Sequence, residues 1–344
     1  MNVHKTLKTA VIGCGKGGEG IGGHSIGYRH AQVYQHLGYE LAGACDLNEE
    51  NLKGFAEHFS VPHASVDLDT MLQGACPDLV SICTYAGSHL SILKQCAAAG
   101  VKRVFMEKPM CLSLQDGEEM LQVADSAEMK IVVNHYRRYL PRFMETKAKL
   151  DAGVIGTPLL YVAGIDGWDL MEWGTHWLDM FRFFANDQEV TWMMGQAAVS
   201  DKQGYGHVME DHALAYFGFA DGSKALLDGG SGFPGDMAMR IIGTEGLLEI
   251  PDFDPVVTLN TSGREEFAAG TNIHYDDQDQ AWQMLLRELE AWCAGGEEPQ
   301  CGLRNALKSS ELYLAAYESA MQGGKVEFPY DPAGKGFPLR SRNS

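Results

Sequence analysis

Thr9-Ala-Val-Ile-Gly-Cys-Gly15 is the stretch on which the fold turns. A short apolar run that ends in glycines reads as a buried parallel strand entering a tight turn. Lys16-Gly-Gly-Glu-Gly-Ile-Gly-Gly-His-Ser25 follows, and then Ile26-Gly-Tyr-Arg-His-Ala-Gln-Val-Tyr-Gln-His-Leu37, with apolar residues at 26, 33, 34 and 37, close to a helical period. Strand, glycine turn and helix together make a dinucleotide-binding fingerprint, in which backbone N–H groups and the helix N-terminus hold a pyrophosphate. Two alignments satisfy it. Gly13, Gly15 and Gly18 fit directly, or Gly13 and Gly15 precede an insertion and Gly27 is the third glycine.

The next strand, Tyr39-Glu-Leu-Ala-Gly-Ala-Cys-Asp46, separates the two. The acidic residue of such a fingerprint is expected about 20 positions on. Asp46 lies 19 positions after Gly27 and 28 after Gly18, so the insertion alignment is preferred. Residues 16–25 would then form a flexible flap over the pyrophosphate or the active site. Asp46 would accept hydrogen bonds from the ribose hydroxyls and repel a 2′-phosphate. Leu47 and Asn48 follow it with no arginine, which favours NAD over NADP. Asp46 could instead cap a helix, but Asn48 fills that role at least as well.

The alternation continues. Asp78-Leu-Val-Ser-Ile-Cys-Thr84 is a strand, residues 88–99 a helix closed by Gly100, and Lys102-Arg-Val-Phe-Met-Glu-Lys-Pro109 another strand. Ser113 opens a further helix, and Lys130-Ile-Val-Val-Asn134 is the last strand of this half. This pattern predicts an α/β fold with a doubly wound parallel sheet, whose ligands lie at the carboxyl ends of the strands. Thr84-Tyr85 and Glu107-Lys108 stand at such ends. Lys108, beside a proline-fixed turn, is a basic group held at the crevice, against the ordinary reading of a surface lysine.

Composition narrows the function classes. The 344 residues suggest two domains, divided as 1–134 and 135–344, with 45% hydrophobic and 21% charged residues. A net charge of −19 argues against nucleic acid or an anionic membrane as partner. No apolar run is long enough to span a membrane, and the N-terminus lacks a signal-peptide core. The eight cysteines form no C-x-x-C pair, and Cys14, Cys45 and Cys83 fall in apolar strands, which points to a reduced, cytoplasmic setting.

The second half opens with a helix over 142–152 and continues as short strands, with Asp221-Gly222 and Glu245-Gly246 as hairpin turns. A mostly antiparallel sheet is expected, closed by two helices, one carrying Trp282, Leu285, Leu286 and Leu289. Within it, Asp169-Leu-Met-Glu-Trp-Gly-Thr-His-Trp-Leu-Asp179 carries the chemistry. As a helix it places Glu172, His176 and Asp179 on one face, a carboxylate–imidazole set suited to moving protons near neutral pH. A solvated face with i,i+4 pairing is the alternative, and a metal site from the same three residues another. Trp173 and Trp177 read as core. Trp168 could line a sugar site, and Asn134, His135 and Arg138 are candidate pocket residues. His207, Glu210, Asp211 and His212 look like metal ligands, but neighbours on a strand point to opposite faces, so no metal is expected there.

These residues resemble the glucose–fructose oxidoreductase/inositol dehydrogenase (Gfo/Idh/MocA) family. The resemblance rests on Gly13-Cys-Gly15 with Ile26-Gly27 and His30, Thr84 with His89, Glu107-Lys108-Pro109, Arg138-Tyr-Leu-Pro141 and Gly153-Val-Ile-Gly156. It extends through Gly174-Thr-His-Trp-Leu-Asp179, Glu210-Asp211, Gly243-Thr-Glu-Gly246 and Ala316-Tyr-Glu-Ser319. It implies an NAD(P)-dependent oxidoreductase of sugars, cyclitols or polyols, with an N-terminal Rossmann domain and a C-terminal α+β domain. Homodimers or homotetramers formed through the large sheet are also implied. Lys108 matches the lysine of the family's Glu-Lys-Pro motif and His176 its catalytic histidine. Glu172 stands where an aspartate is usual, Thr84-Tyr85-Ala86 where Thr-Pro-Asn is usual, and the connection from Tyr161 to Glu172 is short.

The expected chemistry is hydride transfer between NAD and a secondary alcohol of a small carbohydrate or polyol. His176 would take the hydroxyl proton, Lys108 would stabilise the developing alkoxide, and Glu172 would orient or tune His176. Gly13, Gly15, Gly27, Asp46, Thr84, Tyr85, His89 and Glu107 are the expected cofactor residues. An NAD-retaining glycosidase acting by transient oxidation and elimination would use the same lysine and histidine. A non-catalytic nucleotide sensor is a third reading, opposed by the intact Lys108, Glu172 and His176 set.

Overall fold

The run from Thr9 becomes β1 (Lys8–Ile12), buried at every residue but Lys8, as a strand covered on both faces must be. There follow α1 (Ile26–His36), β2 (Glu40–Cys45), α2 (Glu49–Phe59), β3 (His63–Ser65), α3 (Leu68–Ala75) and β4 (Leu79–Ile82). Then come α4 (His89–Ala98), β5 (Arg103–Met106), α5 (Leu114–Ser126) and β6 (Lys130–Val133). This is a computed structural model, describing residues 6–17, 26–167, 169–230, 239–251, 256–268, 276–332, 334 and 336–340. The flap expected over 16–25 therefore lies outside the described residues from Gly18 onward, as does Trp168.

The six strands are parallel in the order β3-β2-β1-β4-β5-β6, with the reversal of winding between β1 and β4. Backbone bonds carry the ladder past the strand ends. Gly13 N–H donates to the Cys45 carbonyl, Cys83 to Ile12, Glu107 to Ile82 and Asn134 to Met106, at 2.7 to 2.8 Å. The carboxyl edge is thus as rigid as the sheet. Asn48 caps α2, accepting from Glu50 and Asn51 N–H at 3.0 Å, so Asp46 is free of that duty.

The chain forms two units. The first comprises Met1–Cys111, Asp116–Asn134 and Trp282–Arg304, the second Leu112–Gln115, His135–Ala281 and Asn305–Ser344. A single break after Asn134 does not anticipate the return of 282–304. The reason is packing. Trp282 stacks edge-on against His30 (4.7 Å between centroids) and Phe105 (5.6 Å), and Leu285, Leu286 and Leu289 are buried.

The second unit carries α6 (Pro141–Asp151), β7 (Pro158–Asp166), α7 (Gly174–Phe184), β8 (Val190–Gly204), β9 (His207–Phe219) and β10 (Lys224–Gly230). After these come β11 (Met239–Gly243), β12 (Leu247–Ile250), β13 (Val256–Asn260), β14 (Arg264–Ala268), α8 (Asp276–Cys293), α9 (Leu303–Gln322) and β15 (Val326–Glu327). The ends of α8 and α9 cross between the units. The sheet order is β14-β13-β12-β11-β7-β10-β9-β8-β15, antiparallel except where β7 meets β10. The turns at Asp221-Gly222 and Glu245-Gly246 join β9 to β10 and β11 to β12 as the sequence predicts.

All eleven residues of α7 are buried, so it is a core helix and its polar residues must be paired. It begins at Gly174, not at Asp169. Asp169 accepts the Glu172 N–H through its side chain, a local bond that competes with helix, and Glu172 therefore sits in the preceding turn. Asp179 turns to Arg138, whose Nε and Nη2 donate to it at 2.8 and 2.9 Å while Nη1 and Nη2 donate to Asp187 at 2.7 and 2.8 Å. Ser309 also donates to Asp179 at 2.7 Å. Burial would raise the Asp179 carboxyl, but Arg138, His135 and Arg182 hold it well below the ordinary carboxylate range.

Arg138 is thus a structural cation and not the pocket residue its position suggested. Arg138→Ala should destabilise the protein by about 3–5 kcal/mol in chemical denaturation, because the buried Asp179 loses its principal counter-charge. The pair's stabilisation should be present at neutral pH and lost as pH falls below the ordinary carboxylate range, since the unfolded chain then takes up the proton first.

Candidate active site

In the first unit the glycine turn has the form a dinucleotide needs. A Cβ on Gly27 would lie 2.5 Å from the Gly13 carbonyl oxygen and 2.8 Å from that of Cys14; one on Gly13 would lie 2.9 Å from the Cys83 backbone. Gly13 and Gly15 have φ of +88° and +67°. The start of α1 is therefore pressed against the strand–turn backbone with no room for a side chain, as the insertion alignment requires. Gly15 N–H donates to Asp46 Oδ2 at 3.1 Å and Asn48 N–H to Oδ1 at 2.8 Å. Each carboxylate oxygen keeps lone-pair capacity, and Asp46 is partly exposed, so it can also accept from a ribose. The residues present fit the group.

At the ends of β4 and β5 the candidates divide. Tyr85 is half exposed, and Thr84 Oγ1 accepts from Ser88 at 2.8 Å. His89 is wholly buried, with Nδ1 3.0 Å from the Met110 carbonyl and Nε2 2.9 Å from that of Thr84; it braces the Thr84 loop and is not exposed to a cofactor. Glu107 is likewise buried. His30 Nε2 lies 3.0 Å from its Oε1, Asn134 Nδ2 donates to the same oxygen at 2.6 Å, and Lys108 N–H donates to Oε2 at 3.2 Å. Burial alone would raise its carboxyl, yet the bond to His30 and its charge, then Lys108 and Asn134, lower it overall. Behind His30, Ser81 bonds Nδ1 at 2.7 Å and meets the Tyr34 hydroxyl. Glu107 is thus the underside of the Lys108 turn rather than a cofactor contact. Lys108 itself is partly exposed, and its peptide to Pro109 is cis. Asn134 Oδ1 is buried without a hydrogen-bond partner.

In the second unit His176 is buried in the first turn of α7, with the Tyr136 ring edge-on at 5.8 Å and Trp173 at 6.3 Å. Trp177, wholly buried beneath the Arg137 guanidinium, belongs to the core. His135 is buried, its Nδ1 3.8 Å from Asp179. Glu172 Oε1 lies 3.0 Å from His207 Nε2. Leu170 N–H donates to Glu210 Oε1 at 2.6 Å, and the Tyr317 hydroxyl donates to Oε2 at 2.8 Å.

Asp169, Glu172, His207, Glu210 and Tyr317 therefore form one buried polar cluster behind the turn that precedes His176. Asp169 is pushed up to about 7, by burial first, then by Glu210 and Glu172, against the Glu172 N–H and His207.

As strand alternation predicts, His207, Glu210, Asp211 and His212 do not all converge, but His207 and Glu210 both reach this turn. Register irregularities in β8, between Ala198 and Val199 and between Val199 and Gln203, break the regular alternation opposite them. Asp211 and His212 do go elsewhere, to Ser200 and Asp228. The signal available in sequence was the polar run at the start of β9, His207 and Glu210 to His212, since a carboxylate buried there demands partners. Glu172 and Asp179 have different partners, so the Glu172, His176 and Asp179 set does not converge on a metal. No group of three or more metal-ligating side chains suited to an ion occurs among the described residues. Nor is any described helix long and apolar enough to cross a membrane. All eight cysteines are free thiols.

Residues 7–135 match the family model described as oxidoreductase family, NAD-binding Rossmann fold, and residues 163–249 match the GFO/IDH/MocA C-terminal domain. The chain is 26% identical to a D-apiose dehydrogenase of Paraburkholderia graminis, over 94% of this chain and 90% of that protein. It is 25% identical to the scyllo-inositol 2-dehydrogenase (NAD(+)) of Bacillus subtilis, over 93% and 96%. An inositol dehydrogenase homolog from Azotobacter vinelandii, solved with NADH and myo-inositol, shares the fold with a TM-score of 0.78 at 18% identity, over 94% and 98% of the two chains.

Two outcomes follow from the geometry. Gly27→Ala should raise the dissociation constant for NADH about tenfold or more, measured by nicotinamide fluorescence, because the methyl must displace the glycine turn. Asp169 keeps its proton in the folded protein after the unfolded chain has released it, so its contribution falls as pH rises from 3.8 to about 7. Asp169→Asn should flatten that decline in urea-unfolding free energy; an unchanged slope would contradict the assignment.

Proposed function

The chain belongs to the Gfo/Idh/MocA oxidoreductase family and is an NAD-dependent dehydrogenase, and on that premise we propose that it oxidises a secondary alcohol of a sugar, cyclitol or glycoside. The reading is carried by one observation above all. Lys108 stands at the end of β5, in the edge that also holds Gly13 after β1 and Thr84 after β4, where ligands of doubly wound sheets lie. The backbone there is fixed from below by the Glu107 carboxylate.

The dinucleotide would be held by Gly13, Gly15 and Gly27 at its pyrophosphate and by Asp46 at its ribose, with Tyr85 beside the nicotinamide. Asp46, bonded by Gly15 and Asn48 N–H, offers negative charge where a 2′-phosphate would sit, which supports NAD in preference to NADP. When bound, NAD supplies the hydride acceptor. Lys108 donates a hydrogen bond to the substrate hydroxyl, which lowers its pKa and stabilises the alkoxide as it forms. His176 accepts the hydroxyl proton, a task for which imidazole is the side chain of choice because it exchanges protons near neutral pH. The unpartnered carbonyl oxygen of Asn134 supports its reading as a ligand-side residue. The role of Glu172 is positional, since its carboxylate is bonded to His207.

Lys108→Ala and His176→Ala should each lower turnover by roughly a hundredfold or more while NADH binding stays within a fewfold of wild type. The assay is NADH formation across a panel of inositols, pentoses, hexoses and aryl glycosides, with aglycone release scored in parallel. Near-full activity in either variant overturns the assignment of that residue.

A further inference from the structure

The turn from Asp169 to Trp173 is tied to two other elements of its unit by three side chains that the proposed proton transfer does not use. His207 and Glu210 come from β9, and Tyr317 comes from α9. His207 is buried, and both of its ring nitrogens face acceptors: Nδ1 lies 2.8 Å from the Val208 carbonyl and Nε2 lies 3.0 Å from Glu172 Oε1. A carbonyl can only accept, so Nδ1 carries a proton. The Nε2–Oε1 contact then holds one further proton, as imidazolium with carboxylate or as imidazole with carboxylic acid. Either form closes the same bond. The Phe337 ring covers His207 edge-on at 5.0 Å, and also meets Tyr317 at 5.5 Å, which removes water from the pair.

We propose that His207 is a positioning residue for the proposed reaction: through Glu172 it fixes the turn that presents His176 and sets the charge beside it. The assignment rests on the reading of His176 as the proton acceptor. Glu172 occupies the place where the resemblance leads one to expect a direct partner of the catalytic imidazole. Here its Oε1 engages a histidine from β9, and a second imidazole is thereby interposed in the control of that turn.

Among the described residues, the groups facing the pair include Asp169 in the turn, Glu210 from β9 and Tyr317 from α9, with Val208 offering its carbonyl. Glu210 is anchored at both oxygens, by Leu170 N–H and the Tyr317 hydroxyl, and cannot swing to replace Glu172 without breaking one of them. Burial would lower the His207 imidazole, but Glu172, Val208 and Asp169 outweigh it and raise it. The tie is therefore strongest on the acid side of neutrality and weakens as pH rises through the folded value of His207.

The test uses the full-length protein with ¹⁵N-labelled histidine, titrated by NMR with NAD present, and needs no substrate. His207→Gln keeps a donor toward Glu172 but no titratable charge, and His207→Phe removes the donor. Substitution at 176 and at 207 assigns the two signals among the 12 histidines. Expected is a wild-type His207 doubly protonated beyond the ordinary imidazole value of about 6.5. Also expected is a shift of at least about 0.5 in the His176 midpoint in His207→Phe, and a smaller shift in His207→Gln. If His207→Phe does not fold, the His207 titration and the His207→Gln spectrum decide. A His207 that titrates at the ordinary value, or a His176 midpoint unmoved by either substitution, overturns the proposal. Should Lys108→Ala or His176→Ala instead prove active while these shifts appear, the catalytic reading fails and the Glu172–His207 tie stands.

Discussion

A carboxylate buried beneath a turn is the constraint on which the first unit depends. Glu107 ends β5 inside the protein, where an unpaired charge would be untenable, and its environment is built accordingly. An imidazole from α1, an amide from the end of β6 and the backbone of its own successor converge on it. In one stroke this joins helix α1, whose start forms the glycine turn, to the turn that carries Lys108. The Ser81 and Tyr34 hydroxyls continue the chain into the sheet interior. A network of this kind fixes geometry more than it adds stability, because each member is held only while the others are satisfied.

The second unit repeats the logic with different residues. Its central helix is buried on every side, so Asp179 requires Arg138, and Arg138 in turn takes Asp187. Arg182, beside them, is bonded to Asn305 and Ser309 of α9. One turn earlier, Asp169, Glu172 and Glu210 crowd three carboxyl groups behind His176, and they are tolerated because one imidazole, one phenol and two backbone N–H groups meet them. The charge on Asp169 is the one such a cluster gives up first, which is why its carboxyl is raised to about 7.

Much of this was legible in the sequence, and what was not has physical causes. The spacing of Asp46 pointed to Gly27, and at Gly27 a Cβ would meet the Gly13 carbonyl oxygen at 2.5 Å. Strand-end position located Thr84, Glu107 and Lys108 but could not say which way each side chain faces. Hence Glu107 and His89 read as cofactor contacts when they brace the loops from beneath. Arg138 likewise follows a strand end, and its side chain turns inward to Asp179 and Asp187. Apolar spacing does not register a side chain capturing the Glu172 N–H, and α7 starts at Gly174. Alternation, a rule for regular strands, does not tell which of His207, Glu210, Asp211 and His212 share a side, because the register of β8 against β9 is irregular there. The return of residues 282–304 to the first unit depends on where Trp282 finds a partner, which periodicity does not encode.

The central claim is that hydride leaves a carbinol carbon for the nicotinamide and remains there. It is tested most directly with a polyol deuterated at that carbon, by mass spectrometry of the cofactor after a few turnovers of the wild-type protein. One deuterium in the reduced nicotinamide for each alcohol oxidised, with reduced cofactor accumulating in step with ketone, is the expected result. Consumption of a glycoside with release of its aglycone, while no reduced cofactor accumulates, would contradict it.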